Sequence, residues 1–229
     1  MQWYWVPEYL PKFIDGVIVT LQLLGVSVIL GMALAIPIGL VQVTGPRWLA
    51  WPARAFCTVV RGTPLLIQLW LLYYGLGSLF PLVPGIRESV LWPILRDAFP
   101  YAILAFTISV AGYEGEVMRG AFKGVPKGEL EAARAFGMSR FTLLRRIWLP
   151  RAFQNVLPTL AGELVLTLKS TPLAATITIF DVYGVGSIVR QETYRVYEPL
   201  LLVAGIYIAL TAVIVVFFRW LESRVPRPV

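Results

Sequence analysis

The chain has 229 residues, 58% of them hydrophobic and 14% charged, with a formal net charge of +7 and a mean hydropathy of +0.73. Histidine is absent and Cys57 is the one cysteine, which excludes an internal disulfide, a zinc-type His/Cys cluster and any other metal centre built on those ligands. No G-x-x-x-x-G-K-S/T phosphate loop occurs, so this chain is not itself the site of ATP hydrolysis.

Several apolar stretches are long enough to cross a bilayer core of about 30 Å, which takes about 20 residues. The first, about 14–43, is too long for a signal-peptide core and lacks a basic segment ahead of it, so it reads as a retained helix. A loop with only basic charges, Arg47 and Arg54, leads to a second stretch at about 63–80. Arg87, Glu88, Arg96 and Asp97 balance in the next loop, and a third stretch follows at about 100–118. Residues 119–151 carry eight Lys/Arg against two Glu. The fourth stretch, about 156–168, is short; Lys169-Ser170-Thr171-Pro172 interrupts it before an apolar piece reaching about 179, which predicts a broken or re-entrant helix. After a balanced loop containing Asp181, Arg190, Glu192, Arg195 and Glu198, a fifth stretch runs over about 197–218. The tail carries Arg219, Arg224 and Arg227 against Glu222.

These elements predict an all-α polytopic membrane helix bundle of about five transmembrane helices, forming a single domain over 1–229. The positive-inside rule puts the three basic segments in the cytoplasm, with the N-terminus out and the C-terminus in. The same placement accounts for the net charge, so no nucleic-acid partner is expected. Trp3, Trp5, Trp48, Trp51, Trp92 and Trp220 fit interfacial belts.

Residues 126–150 predict two short helices meeting at a corner. Pro126 suits a first helical turn, and Glu129 and Glu131 lie near the positive end of the helix dipole. Gly137 suits a left-handed cap, Ser139 can cap the second helix, and Pro150 would break it. Such a knob, with small Ala132 and Ala133, either docks in a cleft of another protein or is an ordinary surface hairpin.

The spacing favours docking. Glu131-Ala132-Ala133, Gly137 four residues on, Ile147, and Leu149-Pro150 match the fixed positions of the EAA loop of ATP-binding-cassette importer permeases. Arg61-Gly62-Thr63-Pro64-Leu65 with Gln68, Arg119-Gly120-Ala121 preceded by Glu116, Val125-Pro126-Lys127-Gly128, and Lys169-Ser170-Thr171-Pro172-Leu173 are similar to signatures of the polar amino acid branch. Gly162-Glu163 resembles the permeases for histidine, lysine, arginine, ornithine and opines. Ser170 and Pro172 depart from the Lys-Asp-Thr-Ser-Leu of many members. The resemblance covers nearly the whole chain. It implies a permease subunit of a bacterial cytoplasmic (inner) membrane importer that pairs with an identical or similar permease. Through a coupling loop at about 119–151 it would dock a dimer of ATPase subunits, which bind ATP and Mg²⁺, this chain itself holding no cofactor. It would receive its amino-acid substrate from an extracytoplasmic solute-binding protein.

Ionisable residues inside apolar spans cost at least about 2.5 kcal/mol at the membrane midplane and are functional by default. The candidates are Glu114, Glu116, Glu163 and Lys169. Glu116 can pair with Arg119 at i, i+3. Glu163 and Lys169 are six apart and meet only if the helix breaks. The two Thr-Pro-Leu segments each follow a basic residue by two places and read as helix starts; a helix beginning after Thr171 would aim its N–H groups at a substrate carboxylate. Glu163, Lys169, Thr171 and Glu116 are therefore candidate substrate contacts, Glu163 facing a cationic side chain, against internal pairing and packing as the alternative. A proton-coupled secondary transporter using Glu116 or Glu163 is the rival function.

Overall fold

A computed structural model describes residues 3–224; Arg227 of the basic tail lies outside the described residues. All described elements are helical. In chain order they are α1 (Val6–Thr44), α2 (Arg47–Gly62), α3 (Leu65–Leu82), α4 (Ala98–Lys123), α5 (Lys127–Ala135), α6 (Arg140–Ile177), α7 (Val182–Thr193) and α8 (Tyr197–Arg224). Two single turns, Ile86–Glu88 and Trp92–Leu95, link α3 to α4.

Among the described residues, α1, α3 and α8 are long and apolar enough to cross a membrane, and α6 with α7, bent by 50°, make a fourth candidate. The third expected span is present as α4, 26 residues long. It falls short on composition because its second half carries Glu114, Glu116, Arg119 and Lys123. It is nonetheless heavily buried, packed along α1 in the most extensive helix pair of the bundle. Close approach there depends on Gly39, where an added Cβ would lie 2.7 Å from Met118 Cβ and 2.8 Å from Arg119 N. Asp97 caps α4 by accepting from Phe99 N at 2.9 Å.

Four expectations need correction. The loop around Arg47 and Arg54 is the helix α2, amphipathic and half sunk against α1 and α4. Its charges had masked the apolar stripe of Ala50, Cys57 and Val60, all buried. Pro150 does not end a helix. A π turn over Leu144–Trp148 precedes it, and the widened turn accommodates a residue that lacks N–H and would crowd a regular α ladder. The broken span expected here is present, bent by 50° between Ile177 and Val182, but the chain does not break at Lys169-Ser170-Thr171-Pro172 itself. It tightens to 3-10 geometry over Thr171–Ile177 and turns only at Thr178, whose φ is +70°. Pro172 sits in the first turn of the 3-10 segment, where its missing N–H is tolerated, so Thr171 starts no new helix N-terminus. Trp5, moreover, is 1% exposed in the core beside Phe13 and Val182 and joins no interfacial belt.

Candidate functional site

Two places on α6 concern function, one at each end. At its start, α5 and the first turns of α6 form the corner predicted from Gly137, which adopts φ +76°. Ser139 caps α6 by accepting from Thr142 N at 3.2 Å. The corner is fixed to the bundle from below. Leu130, Ala133 and Leu143 are buried with Met118 and Phe122 of α4, Trp148 Nε1 donates to Phe122 O at 2.9 Å, and Arg151 pairs with Glu129 at 2.8 Å. Of the two alanines expected to face a partner, only Ala132 is exposed, because Ala133 packs inward. Glu131 and Gly137 are exposed, and Ile147 and Leu149 are half-buried. Ala132, Ile147 and Pro150 line a shallow groove of about 510 Å³ together with Phe136, Met138 and Arg146. Phe136 and Phe141 stand 85% and 70% exposed. Sequence reasoning assigned them no role; two aromatics flanking a left-handed glycine in a polar hairpin were the available signal.

The second place is a cleft of about 540 Å³ between α2, α3, α4 and α6. Its charged lining groups are Arg61 at the end of α2, Glu114 of α4, and Glu163 and Lys169 of α6. Glu163 and Lys169 thus share the cleft without pairing. The hydroxyl of Thr167, one turn beyond Glu163, donates to its carbonyl at 2.9 Å and lines the same wall. Gln68 Nε2 donates to Val60 O at 2.9 Å and Thr63 O at 3.0 Å, stapling the corner that presents Arg61. The Arg61 guanidinium lies 5.9 Å from the ring centre of Tyr113. The two basic residues that precede the echoed Thr-Pro-Leu segments meet in this cleft; that echo was visible in the sequence, and the meeting was not. Arg61, Tyr113 and Glu114 had been given no substrate role.

Thr171 and Glu116 lie elsewhere. Thr171 is fully buried, with its hydroxyl 2.9 Å from both Leu168 O and the Tyr207 oxygen. Tyr207 donates to Asp181 Oδ2 at 3.0 Å, and Asp181 Oδ1 caps α7 through Gly184 N at 2.8 Å. This hydroxyl–carboxylate chain ties α6, α7 and α8 together. Thr171 is therefore a structural joint. Glu116 forms the expected pair with Arg119 and is absent from the cleft lining.

The chain is similar in sequence and fold to known proteins. The octopine transport system permease protein OccM of Rhizobium radiobacter is 41% identical over 91% of this chain and 84% of its own. The nopaline permease protein NocM of Agrobacterium fabrum is 36% identical over 90% and 85%. The histidine/lysine/arginine/ornithine permease protein HisM of Escherichia coli K12 is 35% identical over 91% and 87%. Among solved structures, an amino acid ABC transporter crystallised with histidines superposes with a TM-score of 0.82 at 29% identity, covering 98% of this chain and 99% of that one. The inward-facing MetNI methionine ABC transporter gives 0.78 at 19% identity, covering 96% and 99%, a likeness of fold alone. Residues 27–227, a stretch that includes both the corner and the cleft, match the family described as binding-protein-dependent transport system inner membrane components, and to that family of membrane permeases this chain belongs.

Proposed function

We propose that this permease carries an amino acid with a cationic side chain, or an opine derivative of one, across the cytoplasmic membrane inward. The observation that supports this most is the cleft, where Glu114 and Glu163 face Arg61 and Lys169 across an otherwise apolar bundle. A basic amino acid presents two cations and a carboxylate; an opine adds another carboxylate. The opine matches two acids and two bases one for one, and the basic amino acid matches both acids with its single carboxylate shared between the two bases. With no helix start at Thr171, Arg61 and Lys169 are the groups that receive the carboxylates. The names of the relatives, for octopine, nopaline and the basic amino acids, point to the same substrate class.

The chain acts as one permease domain and pairs with an identical or similar permease. A partner ATPase dimer, holding ATP and Mg²⁺, grips the exposed face of Glu131, Ala132 and Gly137, and an extracytoplasmic binding protein delivers substrate. Five crossings, with the N-terminus out, satisfy the loop charges if α4 counts as a span despite its polar second half. A cytoplasm-active reporter fused at the N-terminus should be silent, and one at the C-terminus active.

The decisive experiment is uptake into vesicles containing the permease with its ATPase, in the presence of the binding protein. Labelled arginine or octopine should enter with the proton gradient collapsed and stop without ATP, and unlabelled glutamate should not compete. Uptake that follows the proton gradient would defeat the importer reading, and preference for glutamate the substrate reading.

A further inference from the structure

Behind the cleft lies a second, smaller chamber of about 70 Å³, bounded by α1, α4, α6 and α8. Its walls include apolar Val28, Leu160, Leu164 and Phe218, and its polar lining groups are Glu114 and Thr167 alone. Glu114 and Thr167, together with Val110, also line the main cleft, so the chamber and the cleft adjoin at these residues. Glu114 is 5% exposed, and its Oε2 has no hydrogen-bond partner. Among the described residues no lysine or arginine forms an ion pair with it. A buried carboxylate oxygen left without a partner bears a desolvation cost that a cationic guest would relieve.

We propose that this chamber is the side-chain subsite of the permease, with Glu114 receiving the substrate's terminal cation. The assignment rests on the substrate reading above and refines it: Glu163, half-buried in the cleft, is left for the α-ammonium, and Arg61 and Lys169 for the carboxylates. Size and chemistry agree. An apolar cavity of about 150 Å³ holds a benzene ring; a chamber of about 70 Å³ admits the few heavy atoms of an ammonium or guanidinium and excludes a ring. Glu114 is the one acid on the wall, and the hydroxyl proton of Thr167 is already given to Glu163 O, so a neutral or anionic tip is rejected, because a buried polar group unmatched by the ligand penalises binding.

Citrulline supplies the probe, since it copies arginine in shape with a neutral urea at the tip. In the assembled transporter, Glu114→Gln should lower the ratio of arginine to citrulline uptake by about 30-fold or more, a loss typical when one partner of a buried charge pair is removed. Glu163→Gln should weaken both substrates alike and leave their ratio within about threefold, because both carry the α-ammonium. Leu164→Phe, which narrows the chamber without touching a charge, should reduce arginine uptake at least tenfold relative to the shorter ornithine, and serves if Glu114→Gln fails to assemble. An unchanged arginine-to-citrulline ratio in Glu114→Gln, its collapse in Glu163→Gln instead, or an unchanged arginine-to-ornithine ratio in Leu164→Phe would each overturn the subsite while leaving the cationic-substrate reading intact. A wild-type protein that ignores arginine and octopine would overturn both.

Discussion

The corner at the start of α6 and the cleft along its second half treat charge in opposite ways. At the corner, charges stand near solvent, and one pair, Glu129–Arg151, is matched within the chain, while aromatic rings stand out into solvent. In the cleft, four charged groups from three helices share one space, and the buried acid among them is unpartnered. A protein that only needed stability would pair its buried charges and cover its exposed rings. The two departures match the two tasks proposed above: the corner is packed on its inner face and exposed on its outer face, as docking of a protein would require, and the cleft holds an unmatched acid, as binding of a charged ligand would require.

Replacing Gly137 should separate the two most completely. An open-space position at φ +76° puts a side chain in strain worth about 1 kcal/mol, too little to unfold the bundle. Gly137→Asp is expected to leave the protein inserted and abolish substrate-stimulated ATP hydrolysis; normal stimulation and uptake would deny the corner its docking role. Next in size is Glu163→Gln. Losing one partner of a desolvated pair costs several kcal/mol, against under about 1 kcal/mol for a solvated pair, so the fall in arginine or lysine transport measures how dry the occupied cleft is. A fall below about fivefold would mean that its charges are as wet as the corner's.

Smaller again is the effect of Tyr207→Phe, which leaves the buried Asp181 Oδ2 without its donor at a cost of about 1–3 kcal/mol. The melting temperature of the protein in detergent should drop, with both ends of α6 still functional; an unchanged melting temperature would show that the joint contributes no rigidity. The smallest change is expected for Glu129→Gln, since a pair whose side chains are 41% and 32% exposed is worth at most about 1 kcal/mol and fades with salt. Stability should shift within that range at low ionic strength and not at all at high. A larger loss would place that pair with the cleft's buried charges.

The two regions also differed in legibility. The corner was readable because its determinants are contiguous: a glycine that needs a left-handed φ, a serine three residues before the N–H it caps, and a fixed spacing from Glu131 to Pro150. Its inner and outer faces were not readable, since Ala132 and Ala133 are alike in sequence and only packing against Leu130 and Leu143 tells them apart. In the cleft, Glu114, Glu163 and Lys169 could be singled out as charges in apolar surroundings, but Glu114 lies about fifty residues from Glu163 and Arg61 about a hundred, and no periodicity announces their convergence. Thr171 misled because Thr-Pro marks a helix start equally well as a change from α to 3-10 geometry. The long α6 was missed for a related reason. Proline breaks regular helices, and a π turn that accommodates one leaves no trace in composition.

That π turn sets an angle. Each residue advances an α-helix by about 100°, so the extra residue in a π turn rotates everything on one side relative to everything on the other. Along α6 the turn over Leu144–Trp148 lies between the Gly137 hairpin and Glu163, and so fixes the compass bearing of the hairpin's outer face with respect to the cleft. Deleting Leu144 or Arg145 from this turn would preserve Ile147 and the charged lining of the cleft, yet swing the Gly137 hairpin about a quarter of the way around the helix. Insertions and deletions here are therefore phase errors, and they should be tolerated far less well than substitutions of the same residues.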